Sequence, residues 1–184
     1  MHYIKVPMDI ENNSFRIIEK ELGEHSFNDE ELLIVKRVIH TTADFDYKNL
    51  VYISKSAIKE AKAVLSKGVK IYTDTNMALS GINKRALASL NCEISCYVND
   101  DDVRQEASRR NITRSIVGLE KAVREGCSVF VFGNAPTALF KLKELIEKEK
   151  VNPKFIIAAP VGFVGAKESK EEIEKLDIPM ITIR

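Results

Sequence analysis

Arg37-Val38-Ile39-His40-Thr41-Thr42-Ala43-Asp44-Phe45-Asp46 places a histidine, two hydroxyls and two acids where an apolar helical pattern ends. Imidazoles as a class titrate near neutrality, so a histidine held against a ligand can give and take a proton at cellular pH. The plainer reading of a lone histidine at a helix end is structural. Of the other two histidines, His2 is terminal and His25 sits in a polar stretch, which leaves His40 as the candidate proton carrier. Three further polar or glycine-bearing segments follow strand-like runs: Asp74-Thr75-Asn76-Met77, Gly133-Asn134-Ala135-Pro136-Thr137 and Pro160-Val161-Gly162-Phe163-Val164-Gly165. With the His40 segment they are expected to form loops lining one pocket.

Each segment suggests a chemistry and also has a plainer explanation. Gly133 permits a tight turn and close backbone approach. Pro136 suits a first helical turn, and the free N–H groups there would attract a carboxylate or phosphate. The same residues also suit an ordinary strand-to-helix turn. Gly162 and Gly165 allow close approach, while Phe163 and Val164 offer apolar contact to a flat ligand; alternatively Phe163 tucks into the core. Asp74 to Gly81 is rich in donors and acceptors, or is simply a helix cap at Asp74 or Thr75. Arg114 could clamp a carboxylate in bidentate fashion, or be a solvated arginine behind a Thr113 cap. Lys141, Lys143 and Lys148 read as a solvated helix face. No dinucleotide fingerprint, phosphate loop, zinc spacing or serine elbow is present.

The elements that must carry these residues alternate. Phe15, Ile17, Ile18 and Leu22 suit a short helix near residues 10–22. Asn28-Asp29-Glu30-Glu31 is a capped helix start. Leu32, Leu33, Val35, Val38 and Ile39 continue that helix and deliver His40 near its end. Strands are expected over 50–53, 69–73, 92–98, 128–132, 155–159 and 178–183. Helices are expected over 55–67, closed by Gly68, from Asp100 through Arg110, along the Ile112, Ile116, Leu119 and Val123 face, and along Leu139, Leu142, Leu145 and Ile146. This alternation predicts a three-layer α/β/α fold with a mostly parallel sheet, as one domain over 1–184. Ligands of such folds bind outside the carboxyl ends of the strands, where Asp74, Gly133 and Pro160 fall.

A net charge of +1 with no basic stripe argues against a nucleic-acid binder. No apolar run is long enough to span a bilayer, and Met1-His2-Tyr3-Ile4-Lys5-Val6-Pro7 lacks a signal-peptide stretch. Cys92, Cys96 and Cys127, an odd count, read as unpaired thiols, so a cytoplasmic location is expected.

Taken together, Arg37 to Thr42, Asp74 to Met77, Gly133 to Phe140 and Pro160 to Lys170 resemble, in order, the precorrin-8X methylmutase family, also called cobalt-precorrin-8 methylmutase or precorrin isomerase. The resemblance runs from about Ser14 to the last strand. It implies cobalamin biosynthesis: an acid-assisted sigmatropic shift moving a methyl group from C-11 to C-12 of the corrin ring, giving hydrogenobyrinate or its cobalt counterpart. It implies no cofactor and no protein-bound metal, any cobalt arriving inside the substrate. It also implies a homodimer with the pocket at or near the subunit interface. His40 matches the catalytic histidine, and Ser14 and Arg37 match substrate-contacting positions. A flat apolar macrocycle fringed with carboxylates would also suit Thr41, Thr42, Thr75, Asn76, Met77, Arg114, Gly133, Asn134, Ala135, Thr137, Gly162, Phe163 and Val164. Ala43 departs from the family's glycine after His-Thr-Thr. Relatives continue beyond the last strand into a glycine-rich basic stretch and a helix, whereas this sequence stops at Ile183-Arg184, so altered pocket closure or dimerisation is expected. The alternatives are a non-catalytic corrinoid or tetrapyrrole carrier with the same pocket and a nucleotide-binding α/β protein, the latter opposed by the missing phosphate loops.

Overall fold

The computed structural model describes residues 3–184; His2 lies outside them. The chain falls into two compact units, Met1–Tyr52 and Ile53–Arg184.

The first unit is helical. Pro7 opens α1 (Pro7–Glu21), where its missing N–H leaves no bond unmade. The start of α2 (Asp29–Thr42) is a capping box: the Asn28 side chain accepts from the N–H groups of Glu30 and Glu31, and Glu31 accepts from the Asn28 N–H. Buried Ile18 and Leu22 of the α1 segment, with Val35 and Ile39 of α2, supply the apolar seam of this helix pair. Helix α2 ends at Ala43, which takes a left-handed conformation at φ 55° and donates its N–H to Ile39 O. A short α3 (Tyr47–Leu50) follows, so Leu50 is helical and the expected strand shortens to β1 (Val51–Ile53), which spans the division between units. Lys48 Nζ of α3 donates to Leu22 O at 2.9 Å.

The second unit alternates in the order α4 (Ala57–Leu65), β2 (Lys70–Thr73), α5 (Asn76–Gly81), α6 (Lys84–Ser89), β3 (Glu93–Ser95), α7 (Asp101–Arg110), α8 (Arg114–Arg124), β4 (Val129–Phe132), α9 (Pro136–Glu147), β5 (Phe155–Ala158), α10 (Ala166–Glu174) and β6 (Met180–Ile183). The sheet order is β1-β6-β5-β4-β2-β3, and the pairs β2–β3, β2–β4, β4–β5 and β5–β6 are parallel. Alternate strand residues feed two layers. Ile71, Val129 and Phe155 pack with Ala57 of α4 and Leu87 of α6. Tyr72, between them in sequence period, meets Phe130 and Phe132 and reaches α8 through its hydroxyl, 3.5 Å from Ser115 O. Helix α9 packs on β4 and on α10. The three-layer α/β/α expectation thus describes this unit.

Some bounds differ from the sequence reading. Helix α4 ends at Leu65 with Ser66 as its C-cap, and Gly68 closes the turn after it, donating its N–H to Leu65 O at 3.2 Å. Gly68 then turns the chain into β2 at φ +70°, where an added Cβ would lie 2.9 Å from Asn91 O. Strand β3 occupies only Glu93–Ser95 of the expected 92–98. Of helices α5, α6 and α10 the sequence reads only the cap of the first, at Asp74 or Thr75, and the structure places it at Thr75. The first two are six residues each, too short to show a helical period. In α10 the buried face is Ala166, Ser169 and Ile173, whose small and polar members hide the amphipathic pattern.

Candidate functional site

In the first unit His40 occupies the last turn of α2, exposed, with no hydrogen bond or ion pair among the described residues. Its ring is held by Phe15, at 5.1 Å between centroids and tilted by 45°. The same Phe15 ring carries the Arg37 guanidinium at 4.7 Å and Lys36 Nζ at 6.0 Å. One aromatic ring therefore gathers an imidazole and two cations around it. A groove of about 520 Å³ runs along Phe15, Leu33, Ile34, Lys36, Arg37 and Val38. Arg37 is also paired with Glu11 through one guanidinium nitrogen at 2.7 Å, so an incoming carboxylate would share the guanidinium with that acid or displace it. The hydroxyls of Ser14, Thr41 and Thr42 each donate to the carbonyl four residues earlier, at 2.8, 3.0 and 2.9 Å. Toward a ligand these oxygens are acceptors, not donors. Sequence reasoning saw Phe15 only as an apolar helix position; its spacing from Arg37 and His40 across two helices carried no local signal.

In the second unit β2, β4 and β5 are neighbours, so the Asp74, Gly133 and Pro160 segments do come together at the carboxyl end of the sheet. From β2 the chain proceeds to β3 on one side; from β4 it proceeds to β5 on the other. The β2/β4 boundary is thus the topological switch point where such sheets open a crevice. The Arg37–Asp46 segment belongs to the first unit.

Asp74 occupies that switch point and is only 2% exposed. Its Oδ1 accepts from Gly133 N–H at 2.8 Å, and its Oδ2 accepts from Asn134 and Ala135 N–H at 2.9 and 2.6 Å. The expectation of free N–H groups in this turn is therefore corrected: they already hold a carboxylate, supplied by the protein. Ala135 is buried, so neither its side chain nor its N–H faces outward, while the Asn134 side chain remains exposed. The charge of Asp74 is felt nearby. It joins burial, the larger cause, in pushing the Tyr72 hydroxyl well above its ordinary value. It acts likewise on the half-buried Cys96 thiol, again after burial. Thr73, just before it, is fully buried, and among the described residues its hydroxyl has no partner.

Thr75 caps α5 by accepting from Ala78 N–H, so Asn76 and Met77 form that helix's first turn. Thr113 caps α8 and lies 3.0 Å, Oγ1 to Oγ1, from Thr137. Arg114 thus stands beside the start of α9, exposed and without an ion pair among the described residues. A cation at a helix N-terminus is opposed by the helix dipole, a cost an anionic ligand would offset. The segment is thus a Thr113 cap followed by an exposed arginine. Phe163 does not tuck into the core. Gly162 and Gly165 bracket it at φ +138° and +76°, and it is 108% exposed, with Val164 at 88% and Met77 at 82%. Among the described residues no group of three His, Cys, Asp or Glu is placed to hold a metal, and no helix is long and apolar enough to cross a membrane.

By its fold this is a three-layer α/β protein whose switch-point edge carries exposed apolar side chains and an exposed guanidinium. The comparisons narrow that class: the precorrin-8X methylmutase family model matches residues 9–184, and the chain belongs to this family of methyl-migrating isomerases of cobalamin biosynthesis. It is 46% identical to the cobalt-precorrin-8 methylmutase of Leptospira interrogans over 177 residues, covering 95% of this chain and 80% of the relative. Identity to the Salmonella typhimurium cobalt-precorrin-8 methylmutase is 44%, over 98% of this chain and 88% of that one. The crystal structure of precorrin-8x methyl mutase from Thermus thermophilus superimposes with a TM-score of 0.85 at 31% identity, covering 95% of this chain and 86% of that one. These likenesses favour an enzyme over the non-catalytic carrier.

Proposed function

We propose that this chain moves the methyl group of precorrin-8X or cobalt-precorrin-8 from C-11 to C-12, releasing hydrogenobyrinate or cobyrinate. The observation that carries the reading is the family match over 9–184, which includes every candidate residue from Ser14 to Val164. His40 supplies and recovers the proton; the residue is exposed, and Phe15 packs against its ring. Ser14, Thr41 and Thr42 offer acceptors, and Arg37 takes a substrate carboxylate alongside Glu11 or in its place. At the sheet edge Met77, Phe163 and Val164 cover the macrocycle, Gly162 lets that loop approach it, and Arg114, Thr75, Asn76, Asn134 and Thr137 meet its polar rim, with Gly133 and Ala135 contributing backbone shape.

A rearrangement within one molecule needs orientation and a placed acid more than a nucleophile. Protonation by a positioned group is worth roughly 10²–10⁴-fold, and shape supplies much of the rest. The reading includes no protein-held metal or cofactor, a single functional domain over both units, a cytoplasmic location and a homodimer; none of these is needed for the test. Visible-absorbance titration with hydrogenobyrinate should give a shifted, saturable spectrum with wild-type protein and with His40→Ala. Absence of binding to folded wild-type protein would overturn the reading.

A further inference from the structure

The N-cap position of α9 is Ala135, which has no side-chain acceptor. The carboxylate that takes up the N–H groups there comes from Asp74, 61 residues earlier in the chain. Asp74 also continues β2, donating its own N–H to Val131 O at 3.3 Å, and one residue later Thr75 caps α5. The two helix starts that flank the switch point are thus tied through a single side chain. The tie is close: a Cβ added at Gly133 would lie 3.8 Å from Asp74 Oδ1, 3.9 Å from Ala78 Cβ and 3.9 Å from Thr75 Oγ1. Among the described residues no cation pairs with Asp74, so three backbone donors and the positive end of α9 are what hold it. A buried carboxylate is a costly way to cap one helix. A serine or aspartate at position 135 would cap the first turn of α9 locally, but would leave the N–H groups of Gly133, Asn134 and Ala135 unbound. What the distant acid adds is registration between the Thr75–Met77 turn and the Gly133–Thr137 turn.

We infer that Asp74 is a positioning residue for this isomerase, fixing the width of the crevice between the starts of α5 and α9 and hence the seating of the macrocycle's rim. The inference rests on the proposed corrinoid reading. In Asp74→Asn the amide oxygen can keep one side of the clamp, but the NH2 group then faces an N–H. Either one or two of the three N–H bonds to the Gly133–Ala135 turn are lost, according to which way the amide faces, while the volume stays the same. Asp74→Glu keeps the charge and displaces the turn by a methylene.

The test measures kcat and KM with precorrin-8X, the Kd for hydrogenobyrinate by absorbance, and thermal melting, for wild-type protein and both variants. The expected result is a folded Asp74→Asn protein with KM and product Kd raised together by about tenfold, the scale of a lost hydrogen bond in the turn that seats the rim, and kcat nearly retained. If Asp74→Asn does not fold, Asp74→Glu decides on the same readouts. A folded variant with wild-type KM and Kd overturns the inference, as does a loss confined to kcat with Kd intact. Wild-type protein that neither binds nor turns over removes the corrinoid reading and this inference together, whereas wild-type activity with indifferent variants removes only the inference.

Discussion

Ala43 shows how one residue records a local conflict. Its left-handed φ of 55° at the end of α2 is a backbone conformation that glycine takes more readily than alanine. Left-handed backbone costs an L-residue roughly 1–2 kcal/mol, part of which glycine gives back as unfolded-state entropy. Ala43→Gly should therefore raise stability by about 1 kcal/mol in urea unfolding; an unchanged or lower midpoint would contradict this. Thr73 makes a second residue-scale case. Its buried, unpartnered hydroxyl carries a desolvation penalty of about 1–3 kcal/mol. Thr73→Val, nearly isosteric, should be neutral or stabilising by calorimetry, and a clear drop in Tm would show that the hydroxyl is satisfied in solution. Phe163 contrasts with both: it lies fully in solvent, so Phe163→Ala should leave Tm unchanged while weakening hydrogenobyrinate binding by about 1–2 kcal/mol. Loss of Tm with unaltered affinity would contradict its role as a ligand contact.

At the scale of elements, the loop after β5 is pinned at one end. Gly165 sits at φ +76°, and an added Cβ would meet Phe140 Cε2 at 3.1 Å and Pro136 Cβ at 3.7 Å, both on α9. Gly165→Ala should cost at least about 1–2 kcal/mol from backbone conformation alone, measured by denaturant unfolding; a neutral variant would show that the loop is free of α9. Elements governed by neighbouring residues were legible in the sequence. The Asn28 capping box, Pro136 opening α9, and the buried runs of β4 and β5 depend on side chains within a few positions. Short or small-faced helices were not, because α6 and α10 are stabilised by what they pack on. The candidate site divides in the same way. The carboxyl-edge placement of Asp74, Gly133 and Pro160 follows from strand order. That Asp74 would fill the Gly133 turn from 59 residues away, or that Phe15 would carry both Arg37 and His40 from another helix, has no local sequence signal.

Across the whole molecule, charge is handled by pairs and clusters of pairs. Glu120 on α8 is held below its ordinary 4.5, first by Arg110, with Lys141 adding to it. A carboxyl depressed on folding contributes stability that is fully present above its unfolded value and is lost as pH falls through the folded one. Urea midpoints should therefore hold down to about pH 4.5 and fall below it, and Arg110→Ala should shrink that fall; a pH profile unaltered by the substitution would contradict the coupling. Burial pushes the Cys127 thiol up to about 11, and it also raises Cys96. The central claim, methyl migration with His40 as the acid, is tested most directly by incubating the protein with precorrin-8X carrying a ¹³C-labelled C-11 methyl group and following the label by NMR. The label should appear on C-12 with wild-type protein and not with folded His40→Ala. Undiminished migration in that variant, or none in the wild type, would contradict the claim.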